Sequence, residues 1–378
     1  MSAATVPGWP VVGHAAAVEL LHRALAHSHP AHAYLLTGPA QIGKATLARL
    51  FAQALFCQGD PLAGLADTGA AGSASAVDPQ SATHEGNPTG FRNPQSAIPC
   101  GRCRACTLIA RGTYPDVDWY SLARQGAEPE QLGRVNKELS ISTIRSVQGS
   151  LALRPYEGRW RVAVVEDADT MSLAAANALL KTLEEPPPYA VLLLLAADAN
   201  DLPPTIVSRV QLIPLRPLSR AAMAVALRAA GVAEAQATLL AAIGGGRLGW
   251  ALDTAHHPER LVERSELLDL LAALPAADLP ARFAFAADLA ARFSADRAAV
   301  FATLTQLALW WRDLLVVRVG AADLVLNTDR RSALAATAAG LTPRQIGAFL
   351  AAVTATQQQL GQNVSPRLAL ESLMLAMP

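Results

Sequence analysis

The stretch at residues 161–188, RVAVVEDADTMSLAAANALLKTLEEPPP, decides the fold class. An apolar run opens it, two carboxylates follow at Glu166-Asp167, and a helix with a serine ahead of it runs to a proline stop at Pro186. A strand that delivers acids to a loop ahead of a helix is how nucleotide-hydrolysing α/β sites are built. Residues 162–165 and 191–195 are continuous apolar runs, as strands covered on both faces require. Residues 33–37 and 117–122 read as further strands, and 44–56 and 140–151 as helices with apolar faces. Strands alternating with helices predict a parallel, doubly wound α/β sheet over residues 1–215.

Past Arg216 the pattern changes to Ala/Leu/Arg stretches with helical periodicity, broken by Gly244–Gly246, Pro275 and Pro280. A small helical domain over 216–260 and a larger helical bundle over 261–378 are expected. The 378 residues are 52% hydrophobic and carry no net charge. Such a chain has ample core, and it lacks the basic footprint of a protein that holds nucleic acid by bulk electrostatics. No basic start with an apolar run marks a secretory signal, and no apolar run approaches the roughly 20 residues of a membrane span. A cytoplasmic protein without a membrane partner is expected. Only three lysines stand against 28 arginines, a compositional bias that gives surface arginines little meaning.

Cys57, Cys100, Cys103 and Cys106 are the only cysteines, three of them in a C-x2-C-x2-C run. Four thiolates are the ligand set of a closed structural zinc site. The alternative, a buried Cys57 beside a disulfide, leaves three closely spaced thiols unexplained and suits an oxidising compartment. The zinc module then spans residues 57–106. Within it residues 58–99, with five prolines, six glycines and one aromatic, read as a flexible insertion. Closing so long a loop costs about 1–2 kcal/mol beyond a short one. Structural zinc is worth about 10–16 kcal/mol in small peptides.

Gly38-Pro39-Ala40-Gln41-Ile42-Gly43-Lys44-Ala45-Thr46 follows a strand and opens a helix, the context of a phosphate-binding loop. Lys44 is placed to reach phosphates, but the Mg²⁺-binding hydroxyl expected next is replaced by Ala45. Thr46 is one residue on, about 100° around the helix. Three readings stand: a strand-to-helix turn, weak nucleotide binding without hydrolysis, and a working ATPase. Glu166-Asp167 carries the usual acid pair with its side-chain lengths exchanged, either capping the strand or binding metal. Catalysis is the reading it fits least, because about 1 Å of misplacement costs on the order of a hundredfold.

HAYLLTGPAQIGK, the cysteine run, ANALLKTLEEPP and LPPTIVSRV together resemble the clamp-loader branch of the AAA+ ATPases, from Trp9 to about Arg216. The terminal NVSPRLALESLML is similar to that family's last helix. The resemblance implies an α/β RecA-like AAA+ domain, a parallel sheet flanked by helices with an inserted zinc module. An all-α lid and an all-α collar that joins subunits in a ring would follow. The implied partners are gamma/tau and delta subunits, with the sliding clamp and primer–template DNA met through the assembled complex. The implied role is replication, as a subunit of the DNA polymerase III holoenzyme.

Departures from the family pattern point to the ring's non-hydrolysing member, a stator. The middle loop glycine is Gln41, and the sensor threonine falls on Ala196 or Ala197. The lid's sensor arginine falls on Gly249, with Arg247 two residues earlier. Ser208-Arg209 matches the motif that sends an arginine finger into a neighbour's ATP site. The plainer reading is that Arg209 pairs with a local acid or helix end. Lys181, Glu184 and Glu185 mark the motif and fit packing and helix termination. Two rivals remain: an active gamma/tau-like ATPase, and a nucleic-acid module using Arg102, Arg104 and Arg111 beside the cysteines.

Overall fold

The computed structural model describes residues 9–27, 29–59, 98–126, 138–362 and 364–378. Most of the expected insertion, residues 60–97, lies outside the described residues. The chain divides into two compact units, Met1–Ala222 and Met223–Pro378.

The first unit alternates strands and helices. In chain order they are α1 (Ala15–Ala26), β1 (Ala33–Thr37), α2 (Lys44–Phe56), α3 (Arg104–Arg111), β2 (Val117–Tyr120), α4 (Leu122–Gly126) and α5 (Ile141–Ala152), then β3 (Arg161–Val165), α6 (Leu173–Glu184), β4 (Ala190–Ala196), α7 (Pro204–Val207) and β5 (Gln211–Pro214). The strands form one parallel sheet in the order β2-β3-β4-β1-β5. Every residue of β1, β3 and β4 is buried. Successive side chains go to opposite faces. Tyr34, Leu36, Val162, Val164, Val191 and Leu193 meet α1, α2 and α3 on one side. Leu35, Ala163, Val165, Leu192 and Leu194 meet α5 and α6 on the other. The apolar runs of the sequence are thus the central strands of a two-sided sheet.

β5 was the strand least visible in the sequence. Three of its four residues are exposed, and it ends on Pro214. It is an edge strand, where a residue without an N–H is tolerated.

A buried carboxylate ties the β2–β3 edge. Asp116, fully buried, accepts the backbone N–H groups of Tyr156, Glu157 and Gly158 at 2.7, 2.8 and 3.2 Å. Arg161, at the start of β3, places Nη1 3.3 Å from Asp116 and Nη2 2.7 Å from Asp118. A buried charge needs such partners to offset its desolvation.

α8 (Arg220–Ala229) leads into the second unit, which holds α9 (Glu234–Ile243), α10 (Leu248–His256), α11 (Glu259–Ala273), α12 (Leu279–Phe293), α13 (Arg297–Arg318), α14 (Arg331–Ala339), α15 (Pro343–Gly361) and α16 (Pro366–Leu375). α13 is long and apolar enough by composition to cross a bilayer. Here it is a core helix: Leu304, Leu307, Trp310, Trp311 and Leu314 are buried with Phe349 and Val353 of α15 and Leu370 and Leu373 of α16. A second buried carboxylate, Asp313, accepts the N–H groups of Leu326 and Asn327 at 3.0 and 2.8 Å and the Asn327 side chain at 2.9 Å.

Removing one partner of a buried charge pair costs about 3–5 kcal/mol. Asp116→Ala is therefore expected to lower unfolding stability by that order in urea titrations. A change within the range of a surface pair, below about 1 kcal/mol, would show that Asp116 does not anchor this edge.

Candidate functional site

β1 delivers the chain to the phosphate-type loop. Gly38 has φ 144°, and a Cβ there would stand 2.7 Å from the Leu215 carbonyl oxygen, so only glycine fits. Its N–H donates to the Ala197 carbonyl at 3.1 Å, joining the loop to the end of β4. Gly43, with φ 117°, caps α2. Gln41 also takes a left-handed φ of 60°, where a glycine would be free of strain.

Lys44 folds back on its own loop. Its ammonium donates to the Gly38 carbonyl and, at 3.3 Å, to the Pro39 carbonyl. Burial lowers its pKa, against the opposing pull of Asp169 and Asp167. Ala45 packs against the core and Thr46 is exposed. Ala196 is buried, and Ala197 is exposed at the same rim. No hydroxyl therefore stands at either position where the family pattern expects one. A cleft of about 700 Å³ opens beside Thr37, Gly38, Pro39, Asp198, Asn200 and Leu215.

The acid pair diverges. Glu166 lines a separate cavity of about 250 Å³ with Arg49, Arg111, Trp119 and Arg124. Burial and Asp167 raise its pKa, against the pull of Arg49 and Arg124. The Arg49 guanidinium stacks 5.3 Å from the Trp119 ring centre. Asp167, in the left-handed region at φ 55°, accepts the Leu122 N–H at 3.5 Å.

Two residues near the loop were not singled out from the sequence. Asp169 accepts the Ala197 N–H at 3.3 Å, so Ala197 is held by the acid loop on one side and by Gly38 on the other. His14 places Nε2 3.2 Å from the Ile42 carbonyl, and burial lowers its pKa. The available signals were the third acid of E-D-A-D and the Gly13-His14 pair, both of whose residues have positive φ.

Arg209 sits at the other end of the sheet. β5 starts at Gln211 beside Tyr34 and ends at Pro214 beside Thr37, so Arg209 precedes the edge where β1 begins. The loop at Gly38 follows the edge where β1 ends. The five residues of β1 rise about 16 Å at roughly 3.3 Å each. Arg209 Nη2 lies 2.9 Å from Glu184 Oε1, and Nη1 donates to the Thr205 carbonyl at 3.0 Å. The Ser208 hydroxyl also donates to that carbonyl, at 3.1 Å. ANALLKTLEEPP and LPPTIVSRV thus meet through one ion pair.

The four cysteine sulfurs lie within 4.8 Å of one another, joining the end of α2 to the start of α3. A tetrahedral ion bonded to sulfur at about 2.3 Å sets its ligands about 3.8 Å apart, so the donor set suits a metal ion. The N–H groups of Cys100 and Cys103 donate to the sulfurs of Cys57 and Cys100, each at 3.3 Å. Gly59 is close enough that a Cβ would stand 2.6 Å from Cys100 Sγ. The Cys57 thiol is drawn down to about 5, chiefly by the Cys106 thiol hydrogen-bonded to it, while Cys106 is pushed up. Two of the arginines beside the cysteines are engaged elsewhere. Arg104 pairs with Glu157, and Arg111 faces the Glu166 cavity.

In the second unit Arg247 stacks 5.5 Å over Trp250, and its Nε donates to the Gly244 carbonyl at 3.2 Å. Gly249 lies in the first turn of α10.

A family model described as "DNA polymerase III, delta subunit" matches residues 13–70 and 89–219. The delta' subunit of DNA polymerase III from Pseudomonas aeruginosa PAO1 is 36% identical over 179 residues, 47% of this chain but only 41% of that protein. The delta' subunit from Escherichia coli K12 is 33% identical over 272 residues, 71% of this chain and 75% of its own length. That from Bacillus subtilis 168 is 25% identical over 358 residues, covering 95% and 94%. The chain belongs to the family of DNA polymerase III delta' subunits.

Proposed function

We propose that this chain is a clamp-loader subunit that acts as a stator: it does not hydrolyse ATP and lends Arg209 to a neighbour's ATP site. The observation that carries this is the placement of Arg209. It lies at the opposite end of the strands from the chain's own phosphate-type loop, where its guanidinium serves a site on another subunit. A planar guanidinium stabilises charge spreading over a transferred phosphoryl group.

The chain's own site supports the non-hydrolysing half of the reading. Ala45 supplies no Mg²⁺ ligand, Lys44 is engaged with loop carbonyls, and Glu166 faces arginines. A divalent cation brought to Glu166 would meet the Arg49 and Arg124 charges already there. Nucleotide is held loosely or not at all by Gly38, Gly43, Lys44 and Thr46. An active gamma/tau-like motor would need the hydroxyls and acid geometry missing here.

The ring partners in this reading are gamma/tau and delta. The sliding clamp and primer–template DNA are met through the assembly, in the cytoplasm. Residues 216–260 serve as lid and 261–378 as collar. The metal of the four-cysteine cluster is zinc. With all four sulfurs as ligands no position is open to substrate, so Cys57, Cys100, Cys103 and Cys106 would hold it as a staple between α2 and α3.

The purified chain is expected to bind one zinc ion per molecule. Cys103→Ser should lower that content and the thermal midpoint by several degrees; a wild-type chain with no metal and four freely titrating thiols would end the staple reading. Glu166 offers a pH test. Its raised pKa means that its ionised form opposes folding at neutral pH. Glu166→Gln should therefore raise the thermal midpoint at pH 7–8, and the gain should fade toward about pH 4, where the unfolded glutamate is protonated. Equal midpoints at both pH values would show that Glu166 is not strained by burial. In the assembled loader Arg209→Ala should remove one site's share of clamp-stimulated ATP hydrolysis, that site losing about 10³ or more while the others are untouched. Wild-type turnover in that variant would remove the finger role.

A further inference from the structure

We propose that Glu184 is a positioning residue for Arg209, fixing the guanidinium so that its other N–H donors face a phosphate group bound by a neighbouring subunit. This rests on the finger reading of Arg209. Three features of the fold carry it.

The first is helix electrostatics. Glu184 is the last residue of α6, where the helix dipole disfavours an anion, so the acid does nothing for its own helix. What it does touch is Arg209, at 2.9 Å. Second, both partners stand on backbone that cannot drift. Pro186, Pro187 and Pro188 follow α6 after the single residue Glu185, and Pro203 and Pro204 open α7. Proline fixes φ and cannot continue a helix, so the two ends are set against each other. Third, the guanidinium keeps donors in reserve. Its two Nη atoms are engaged by Glu184, the Thr205 carbonyl and the Ser208 hydroxyl. A guanidinium carries five N–H donors, more than these acceptors take up. Its side chain is 38% exposed, which leaves a path for an outside anion.

A purely structural role explains less. An exposed pair of this kind adds little to stability in water. Two separate motifs of the sequence nonetheless converge on it. Glu184 also offsets the cationic charge of Arg209 while no phosphate is present, and it orients the side chain in one rotamer. A pre-oriented donor needs no rearrangement when charge develops on the transferred group.

The test uses the assembled loader with its motor subunits, sliding clamp and primed DNA, and follows steady-state ATP hydrolysis. Arg209→Ala is the reference. Glu184→Ala is expected to lower the share of turnover that Arg209→Ala removes at least about fivefold, with KM for ATP unchanged, as a displaced catalytic group would. Glu184→Gln, which keeps the acceptor, should recover most of that loss. The thermal midpoint of the isolated chain should stay at the wild-type value in both. Wild-type kcat in Glu184→Ala, with Arg209→Ala impaired, overturns the positioning role and leaves the finger standing. Wild-type kcat in Arg209→Ala removes the finger and this role together. A loss in Glu184→Ala matched by a lower thermal midpoint and not rescued by Gln overturns positioning in favour of a structural pair.

Discussion

Because β1, β3 and β4 are buried on both faces, these strands leave no lateral surface of their own on which polar chemistry can be placed. A charged side chain pointing from the middle of those strands would be buried without partners. The one charged residue of these strands, Arg161, stands at the opening of β3. The ends are then specialised: the carboxyl-terminal rim holds Gly38–Lys44, Glu166, Asp167, Asp169 and Ala197, and the opposite edge holds Glu184 and Arg209. Parallel topology enforces this division, because every strand points the same way. A residue before a strand and a residue after its neighbour cannot meet across the sheet. A chain so built can offer a donor at one edge to a partner whatever becomes of the loop at its other edge.

The same logic accounts for the charges that are buried. Asp116 and Asp313 are both inaccessible to solvent, and each organises a connecting segment by accepting consecutive backbone N–H groups. Backbone N–H donors of this kind replace the water that a buried carboxylate gives up. Arg161 completes the first of these, bridging Asp116 and Asp118 from the opening residue of β3. These anchors fix the β2–β3 edge and the segment after α13, and neither sits at the candidate site.

The apolar runs made the sheet legible in the sequence. Uninterrupted stretches such as VAVV and VLLLL can only be central strands or buried helices, and the loop and helix signals around them chose strands. The glycine loop and the opening and closing of α2 were readable for the same reason, since they depend on local backbone chemistry. β5 was not, because an exposed edge strand ending in proline lacks that apolar signal. The side chains of the site were legible as types and not as directions. Glu166 and Asp167 are adjacent in sequence, yet one lines a cavity with Arg49 and Arg124 and the other meets the N–H of Leu122. Which way each turns depends on packing between α2, α3 and β2, and the anchors at Asp116 and Asp169 depend on partners distant in the chain. The four sulfurs were the exception. A C-x2-C-x2-C run brings its own three sulfurs together, and Cys57 is the one other cysteine in the sequence.

Retention of the phosphate-type loop has a physical cause that does not require nucleotide. Gly38 is needed because the Leu215 carbonyl approaches to a distance no Cβ allows, and its N–H is bonded to Ala197. The loop therefore fastens β1 to the ends of β4 and β5. Gly43 gives α2 its start, and Lys44 satisfies the loop's own carbonyl oxygens. Each of these serves folding by itself. Gln41 is the informative exception. Its left-handed φ shows that the backbone still asks for a glycine there, while the side chain accepts strain on the order of 1–2 kcal/mol. A loop under selection for close approach to phosphate would have little tolerance for a long side chain at that turn. A loop kept for joining three strands can carry it. The glycines of this motif are thus explained by packing and backbone conformation alone.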